Sequence, residues 1–129
     1  MSEVSGLTLR VELFPSDLDR FVDFYVGVLR FELTVDRRNT TEPYVAVRRG
    51  AVRIGALETS SAVDVCARSA PVGAELVLEV DDLVAERDAV FAAGHPLAED
   101  ITERPWGLSD FRVFDPDGYY LRFTTRAAG

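Results

Sequence analysis

The residue types that most often perform catalysis are scarce in this chain. It has a single histidine, His95, and a single cysteine. A Ser-His-Asp triad would have to use His95, which lies in a predicted helix-exit turn, and no Gly-x-Ser-x-Gly elbow is present. A glycine-rich phosphate loop is also missing. Acid–base work by Glu12, Glu75 or Glu103 stays open, since a desolvated carboxyl group can reach a useful pKa.

One aromatic residue has a sequence context that favours ligand binding. Trp106 lies between a proline and a glycine in the run Arg104-Pro105-Trp106-Gly107, which is typical of a loop and not of a buried strand. An indole in such a loop can stack on a planar ligand. Alternatively, it packs over the end of the core and anchors the loop. Further aromatic candidates are Phe31, Tyr44, Phe111 and Tyr119.

Composition narrows the function classes. The 129 residues predict a single domain, 1–129. With 14 basic and 22 acidic residues the net charge is −8, which disfavours nucleic acid as a partner because phosphates require a basic surface. No apolar run is long enough to span a membrane, and the N-terminus lacks the features of a secretory signal. We therefore expect a cytoplasmic protein that binds neither nucleic acid nor membrane.

The chain contains two matched halves, which we expect to form modules at 7–57 and 74–126, joined by a linker at 58–73. An alternating apolar segment precedes Asp17-Leu18, and a similar one precedes Asp82-Leu83, 65 residues later. Each half predicts a strand, a helix and three more strands. In the first half the strands are expected at 9–14, 32–37, 44–49 and 52–57, with a helix from Ser16 or Asp17 to Leu29. In the second half they are expected at 75–80, 98–102, 111–115 and 119–125, with a helix at 83–93.

Alternation along the strands predicts which side chains line a binding cleft. Neither half buries much surface alone, so we expect each helix to cover one face of its own strands while the other faces curve around a cleft. On the first strand that face carries Arg10, Glu12 and Phe14. On the last strand it carries Tyr120, Arg122 and Thr124.

These features together resemble the vicinal oxygen chelate superfamily, also called the glyoxalase/bleomycin-resistance fold. The resemblance covers about residues 7–126 and rests on the Asp17-Leu18…Phe24-Tyr25…Val28-Leu29-Arg30-Phe31 run, the repeat, and the turn Asp115-Pro116-Asp117-Gly118. The run Glu103-Arg104-Pro105-Trp106-Gly107 before that turn is similar to the antibiotic-binding branch. Arg30 departs from the glycine usual at that position. The resemblance implies an α+β fold of paired βαβββ modules, with curved sheets around a cleft.

The resemblance also implies where a metal would bind, and two of those positions carry arginine. The enzymes of the family place ligands at positions that correspond to Arg10, Glu75 and Arg122. A guanidinium group has no lone pair to donate and stays protonated. We therefore predict no metal and no other cofactor. The three side chains form either a structural ion-pair cluster or a set in which one arginine meets a polar or anionic ligand group.

By resemblance, the predicted function is metal-free binding of a drug-sized, aromatic antibiotic, a bleomycin-type or enediyne-type natural product that is cationic or neutral. Sequestration would give resistance without chemical modification, in a homodimer. The alternative is a glyoxalase- or dioxygenase-type enzyme of the same superfamily, and a metal-free enzyme that modifies a natural product is a third reading. The predicted ligand-binding residues are Trp106, Glu103, Phe31, Tyr44, Phe14, Arg10, Glu12, Tyr120, Arg122 and Phe111.

Overall fold

A computed structural model of the protein describes residues 6–59 and 74–126, which fall into two compact units. The first unit consists of β1 (Val11–Leu13), α1 (Leu18–Val22), a π-helical segment (Asp23–Val28), β2 (Glu32–Arg37), β3 (Tyr44–Arg49) and β4 (Val52–Leu57). The second consists of β5 (Leu76–Val80), α2 (Leu83–Ala92), β6 (Glu99–Glu103), β7 (Ser109–Phe114) and β8 (Tyr120–Thr125). The predicted paired βαβββ modules are confirmed. Most of the predicted linker, 60–73, lies outside the described residues.

Both units build the same four-stranded sheet. The strand orders are β1-β4-β3-β2 and β5-β8-β7-β6. In each sheet the first and last strands pair in parallel, and the remaining neighbours pair antiparallel. The helix supplies the crossover that a parallel pair requires. Each sheet is open, with its first and second strands at the edges.

Of the two cap residues that the sequence allowed, Ser16 and Asp17, the first helix uses Asp17. The Asp17 carboxylate accepts hydrogen bonds from the backbone N–H groups of Asp19 (2.9 Å) and Arg20 (3.2 Å). A second carboxylate, Glu58, accepts from the N–H of Leu18 at 3.0 Å. Three of the unpaired amide groups of the first turn are therefore satisfied by side chains.

The end of this helix differs from the predicted regular helical stripe. The Leu29 N–H donates to the Phe24 carbonyl, five residues back, at 2.9 Å, so the turn is π-helical. The wider turn places the adjacent rings of Phe24 and Tyr25 in the core together, although a simple α-helical stripe includes only Tyr25. Arg30, just after this segment, has a φ of 62°, the left-handed backbone that glycine adopts more easily.

In each unit the helix covers one face of the sheet and forms the core there. In the first unit Tyr25 contacts Phe21 and Phe31, with ring centroids 4.4 and 5.8 Å apart. In the second unit Phe111 and Phe123 stack at 4.8 Å. The remaining core comes from alternate strand positions and the helices, including Leu13, Val45, Val47, Ile54, Ala56, Val90, Val113 and Leu121. The opposite face of each sheet carries the polar side chains.

The predicted turn at residues 115–118 is confirmed, and its geometry explains its composition. The Asp115 carboxylate accepts from the N–H groups of Asp117 and Tyr119, both at 2.9 Å. Gly118 has a φ of 85°, which a residue with a side chain adopts only under strain. The turn fixes the register in which β7 pairs with β8, and so sets which side chains share a face.

Candidate functional site

The polar face of the second sheet brings together several of the predicted residues. Antiparallel pairing sets Phe114 beside Tyr120 and Arg112 beside Arg122. Leu121 and Phe123, at the alternate positions of β8, are buried in the core, so the predicted sharing of a face along β8 is confirmed. We define the polar face by its members: Asp110, Arg112, Phe114, Tyr120, Arg122 and Thr124.

A buried carboxylate organises this face. The Asp110 side chain is 2% exposed and lies between two guanidinium groups. Arg104 donates to it from Nε at 3.1 Å and from Nη2 at 2.8 Å, and Arg112 donates from Nε at 3.2 Å. Burial by itself raises the pKa of Asp110, but the hydrogen bonds from the two arginines outweigh it and leave the pKa below its ordinary value. We call Arg104, Asp110 and Arg112 the Asp110 clamp.

The clamp is continuous with the turn that presents Trp106. The Arg104 N–H donates to the Leu108 carbonyl at 2.9 Å, and the Gly107 N–H donates to the Arg104 carbonyl at 3.0 Å. Arg104 therefore closes the turn with its backbone and fixes it to Asp110 with its side chain. Trp106 lies at the tip and is 59% exposed. Its predicted position in a loop is confirmed.

Arg122 lies beside this turn. Its Nη1 is 3.1 Å from Glu75 Oε1, and its Cζ is 6.0 Å from the centroid of the Trp106 ring. The Arg122 Nε is buried and finds no hydrogen-bond acceptor among the described residues. Of the ion-pair cluster predicted for Arg10, Glu75 and Arg122, the pair of Arg122 with Glu75 is present in the second unit.

Tyr120 and Glu103 occupy different surroundings on the same unit. The Tyr120 hydroxyl accepts from Arg112 Nη1 at 2.8 Å, and its ring contacts Phe114 at 5.3 Å. Glu103, the last residue of β6, is exposed and pairs across the strands with Ser109. Tyr120 is therefore joined to the clamp, whereas Glu103 lies at the edge of the sheet, just before the Trp106 turn.

In the first unit, the corresponding face carries a small polar group. Arg10 Nε lies 2.9 Å from Glu12 Oε2, and the Tyr44 hydroxyl donates to the same oxygen at 3.4 Å. The side chains of Glu12 and Tyr44 lie over Gly55. A Cβ added at Gly55 would overlap the Glu12 carboxylate and the Tyr44 hydroxyl. Burial, and then the negative charge of Glu12, raise the pKa of Tyr44. Phe14 is half exposed. Arg10 therefore pairs with Glu12 within its own unit.

Two predicted aromatic residues have a different role. Phe31 is 4% exposed and Phe111 is fully buried. Phe31 contacts Tyr25 in the first core, and Phe111 stacks on Phe123 in the second. Because their rings face helices and not solvent, they offer no surface to a ligand, and we leave both out of the proposed site.

The sequence reasoning missed the Asp110 clamp. The strand was predicted to begin at Phe111, so Asp110 fell outside it, whereas β7 begins at Ser109. The missed signal was the period-two alternation of Asp110, Arg112 and Phe114, which extends the strand to the N-terminal side of the predicted start at Phe111. The sequence analysis also did not single out Gly55, because the need for glycine there arises from side chains of two other chain segments, those of Glu12 and Tyr44.

Comparison with known proteins identifies the family. Residues 8–123 match the sequence profile of the Glyoxalase/Bleomycin resistance protein/Dioxygenase superfamily. The chain belongs to this superfamily. No curated protein matches the chain significantly. The superfamily predicted from the sequence is confirmed, and the antibiotic-binding branch stays a proposal.

Solved structures share the superfamily fold along nearly the whole chain. TioX from Micromonospora sp. ML1 is 24% identical with a TM-score of 0.76, over 95% of this chain and 100% of that one. A superfamily member from Sphaerobacter thermophilus DSM 20745 is 20% identical with a TM-score of 0.73, over 95% and 98%. A glyoxalase/bleomycin resistance protein from Streptomyces sp. CB03234 is 19% identical with a TM-score of 0.70, over 92% and 100%. At these identities the likeness concerns the fold.

The donor chemistry at the superfamily's metal-ligand positions does not fit a divalent cation. By the resemblance, Arg10 and Arg122 correspond to two of the three positions. In the structure each guanidinium is paired with a carboxylate. Glu75, at the third, already contacts Arg122. Within residues 6–59 and 74–126 no three His, Cys, Asp or Glu side chains cluster as metal ligands. One carboxylate beside a fixed positive charge is a poor cation ligand set.

The helices of the described residues are short. None of them is long and apolar enough to cross a bilayer.

Proposed function

We propose that this protein binds a drug-sized, aromatic natural product, an antibiotic such as a bleomycin-type or enediyne-type compound, and gives resistance by sequestering it unchanged. The observation that carries the proposal is the exposed indole of Trp106 beside the Arg122 guanidinium. By the resemblance, Arg122 corresponds to a position where the superfamily's enzymes have a metal ligand. The superfamily includes bleomycin resistance proteins by name. The protein would act in the cytoplasm as a homodimer.

The side chains on the polar face favour binding of a ligand without chemical modification of it. An exposed indole stacks on planar rings, a contact worth about 1–3 kcal/mol for nucleic-acid bases. Guanidinium and phenol groups supply directional hydrogen bonds. The carboxylate with the strongest local contacts, Asp110, is ionised and shared by two arginines, so it is not available as a general base. Recognition, and not bond cleavage, is the task these groups suit.

The proposal is tested by titration with cytotoxic natural products. Trp106 is the only tryptophan, so its fluorescence reports binding directly. A saturable response is expected, together with a rise in melting temperature; a ligand at a thousand times its Kd stabilises by about 4 kcal/mol. The ligand should be recovered with unchanged mass. No saturable response to any compound would contradict the proposal.

Matched variants separate stacking from a structural role of the indole. Trp106→Ala should weaken binding about tenfold or more by calorimetry, with little change in melting temperature, because the side chain is mostly exposed. Phe91 on α2 is also exposed, at 68%, and Phe91→Ala should leave affinity unchanged. A large loss of stability without a loss of affinity in Trp106→Ala would mean that the indole only closes the turn. Stoichiometric metal in protein purified without chelators would favour the enzyme alternative.

A further inference from the structure

We infer that Arg122 is the main hydrogen-bond donor to the ligand, and that the ligand carries an oxygen acceptor at the edge of its planar ring system. The acceptor is a carbonyl, phenolate or carboxylate oxygen. This inference rests on the proposed function and adds to it the chemistry of the ligand. It also argues against a ligand that presents an ammonium group at this point.

The donors of Arg122 are only partly used. A guanidinium has five N–H groups in a planar fork, and the ion pair with Glu75 engages Nη1 at 3.1 Å. The Nε is buried without an acceptor among the described residues. A donor that loses its water on burial and gains no acceptor lowers the stability of the folded protein. A ligand oxygen that accepts from Nε would remove this penalty.

The neighbouring strands offer Nε no internal acceptor. Val77 on β5 is the residue in register with Arg122 on one side, and it is apolar. Arg112 on β7 is in register on the other side, and it carries only donors. The buried carboxylate next to it, Asp110, already accepts from Arg104 and Arg112. Glu75, the carboxylate that contacts Arg122, is engaged by Nη1, so Nε is left with a donor that a ligand oxygen can use.

Trp106 places a stacking surface next to the same group. The Arg122 Cζ lies 6.0 Å from the indole centroid, so a ring stacked at Trp106 has its edge within reach of the guanidinium. Because Nε is buried, an acceptor reaches it only when a neighbouring side chain shifts. The turn is fixed at Arg104, whereas the Trp106 indole near Arg122 is 59% exposed. Binding should therefore alter Trp106 emission.

The charge of the face selects against a cation at this point. Arg112 and Arg122 lie side by side across the β7–β8 pair, and the carboxylates next to them, Asp110 and Glu75, are already engaged in ion pairs. An ammonium group at the Arg122 edge would have to compete with Arg122 for Glu75, whereas an oxygen acceptor would gain a charge-assisted hydrogen bond from the guanidinium.

The test uses three probes that share one ring and differ in the head group. Anthracene-9-carboxylate and anthracene-9-carboxamide carry oxygen acceptors, and 9-(aminomethyl)anthracene carries an ammonium. Calorimetry on the full chain at pH 7 should show both acceptor probes binding at least tenfold more tightly than the ammonium probe. The ratio between the carboxylate and the carboxamide shows whether the acceptor is best ionised or neutral.

Two variants and a control assign the preference to Arg122. Arg122→Met keeps the aliphatic stem without donors and should reduce the preference for acceptor probes to about twofold or less. Arg122→Lys keeps the charge but loses Nε and the planar fork of donors. The affinity for the acceptor probes should therefore fall about threefold to tenfold. This variant tests the role of Arg122 even if Arg122→Met does not fold. Arg87→Met removes an arginine that pairs with Asp100 and should leave all three affinities unchanged.

The outcomes separate this inference from the proposed function. An ammonium probe that binds as tightly as the acceptor probes, or acceptor affinities that are unaffected in both Arg122 variants, would overturn the inference. If an antibiotic binds wild type and Arg122→Met equally while no probe binds, the inference is wrong and the proposed function stands. If neither antibiotics nor probes bind, both are wrong.

Discussion

Replacement of Asp110 by asparagine should destabilise the second unit and loosen the Trp106 turn. The substitution keeps the size of the side chain and removes its charge. Asp110 receives hydrogen bonds from Arg104 and Arg112, whose side chains are only 16% and 19% exposed. Without the carboxylate, the negative charge left beside both guanidinium groups is that of Glu99, which is 44% exposed, and Arg112 keeps its hydrogen bond to the Tyr120 hydroxyl.

The loss of stability in Asp110→Asn depends on how deeply the two arginines are buried and on the carboxylate that remains beside them, Glu99. Removal of one partner from a buried ion pair costs about 3–5 kcal/mol, because the other charge is left uncompensated. Here water reaches part of each arginine and Glu99 stays in place, so the lower end applies. We expect Asp110→Asn to lower the free energy of unfolding by about 3 kcal/mol.

Urea unfolding followed by circular dichroism and by Trp106 fluorescence measures both consequences. The folded variant should show red-shifted Trp106 emission and lower anisotropy, because Arg104 no longer fixes the base of the turn. Asp100→Asn is the matched control: Asp100 also pairs with an arginine, Arg87, but at the exposed surface, so little change is expected. A loss below about 1 kcal/mol with an unchanged emission spectrum would refute the role assigned to the clamp.

The pH dependence gives the same prediction an independent check. The pKa of folded Asp110 lies below its ordinary value of 3.8, so the unfolded chain binds this proton more readily than the folded chain. Its contribution is present in full above about pH 4 and is lost as the pH falls through the folded-state value. The difference in stability between wild type and Asp110→Asn should therefore shrink on acidification below pH 4. A constant difference across that range would contradict this assignment.

Three further predictions concern the first unit. Glu12→Gln should lower the raised pKa of Tyr44 only in part, because burial is the larger cause and persists; absorbance titration at 295 nm with Tyr44→Phe as the blank measures it, and an unchanged value would contradict the contribution of Glu12. Arg30→Gly should be about 1 kcal/mol more stable than Arg30→Ala, since both lose the arginine contacts but only glycine relieves the φ of 62°; equal urea midpoints would exclude strain there. Asp17→Ala should cost about 1 kcal/mol through loss of the helix cap, whereas thermal melting unchanged from wild type would show that Glu58 suffices.

Much of the secondary structure was predictable from short-range patterns. The bounds predicted for β2, β3 and β4 coincide with the observed strands, and α2 ends within one residue of its prediction. Period-two alternation, the cap at Asp17 and the turn at Gly118 depend on neighbours in the chain, which the sequence displays directly. The β7 boundary was less accessible because Ser109 and Asp110 carry no apolar signal.

The π-helical turn shows where local pattern is insufficient. The sequence of residues 23–28 is compatible with an ordinary α-helix. The extra residue in the turn is favoured because it lets Phe24 and Tyr25 pack in the core together, and that gain depends on strands far along the chain.

The sequence by itself determined the repeat, the superfamily and the alternation along the strands, and by resemblance it predicted arginine where the superfamily's enzymes have metal ligands. Only the tertiary structure decided which aromatic rings are accessible, since Phe31 and Trp106 look alike as candidates until burial separates them. It alone revealed the Asp110 clamp and the Arg122 Nε that has no acceptor within residues 6–59 and 74–126. The physical reason is that burial and hydrogen-bond partnership are set by strand pairing between distant segments, whereas strand and helix periodicity is written in consecutive residues.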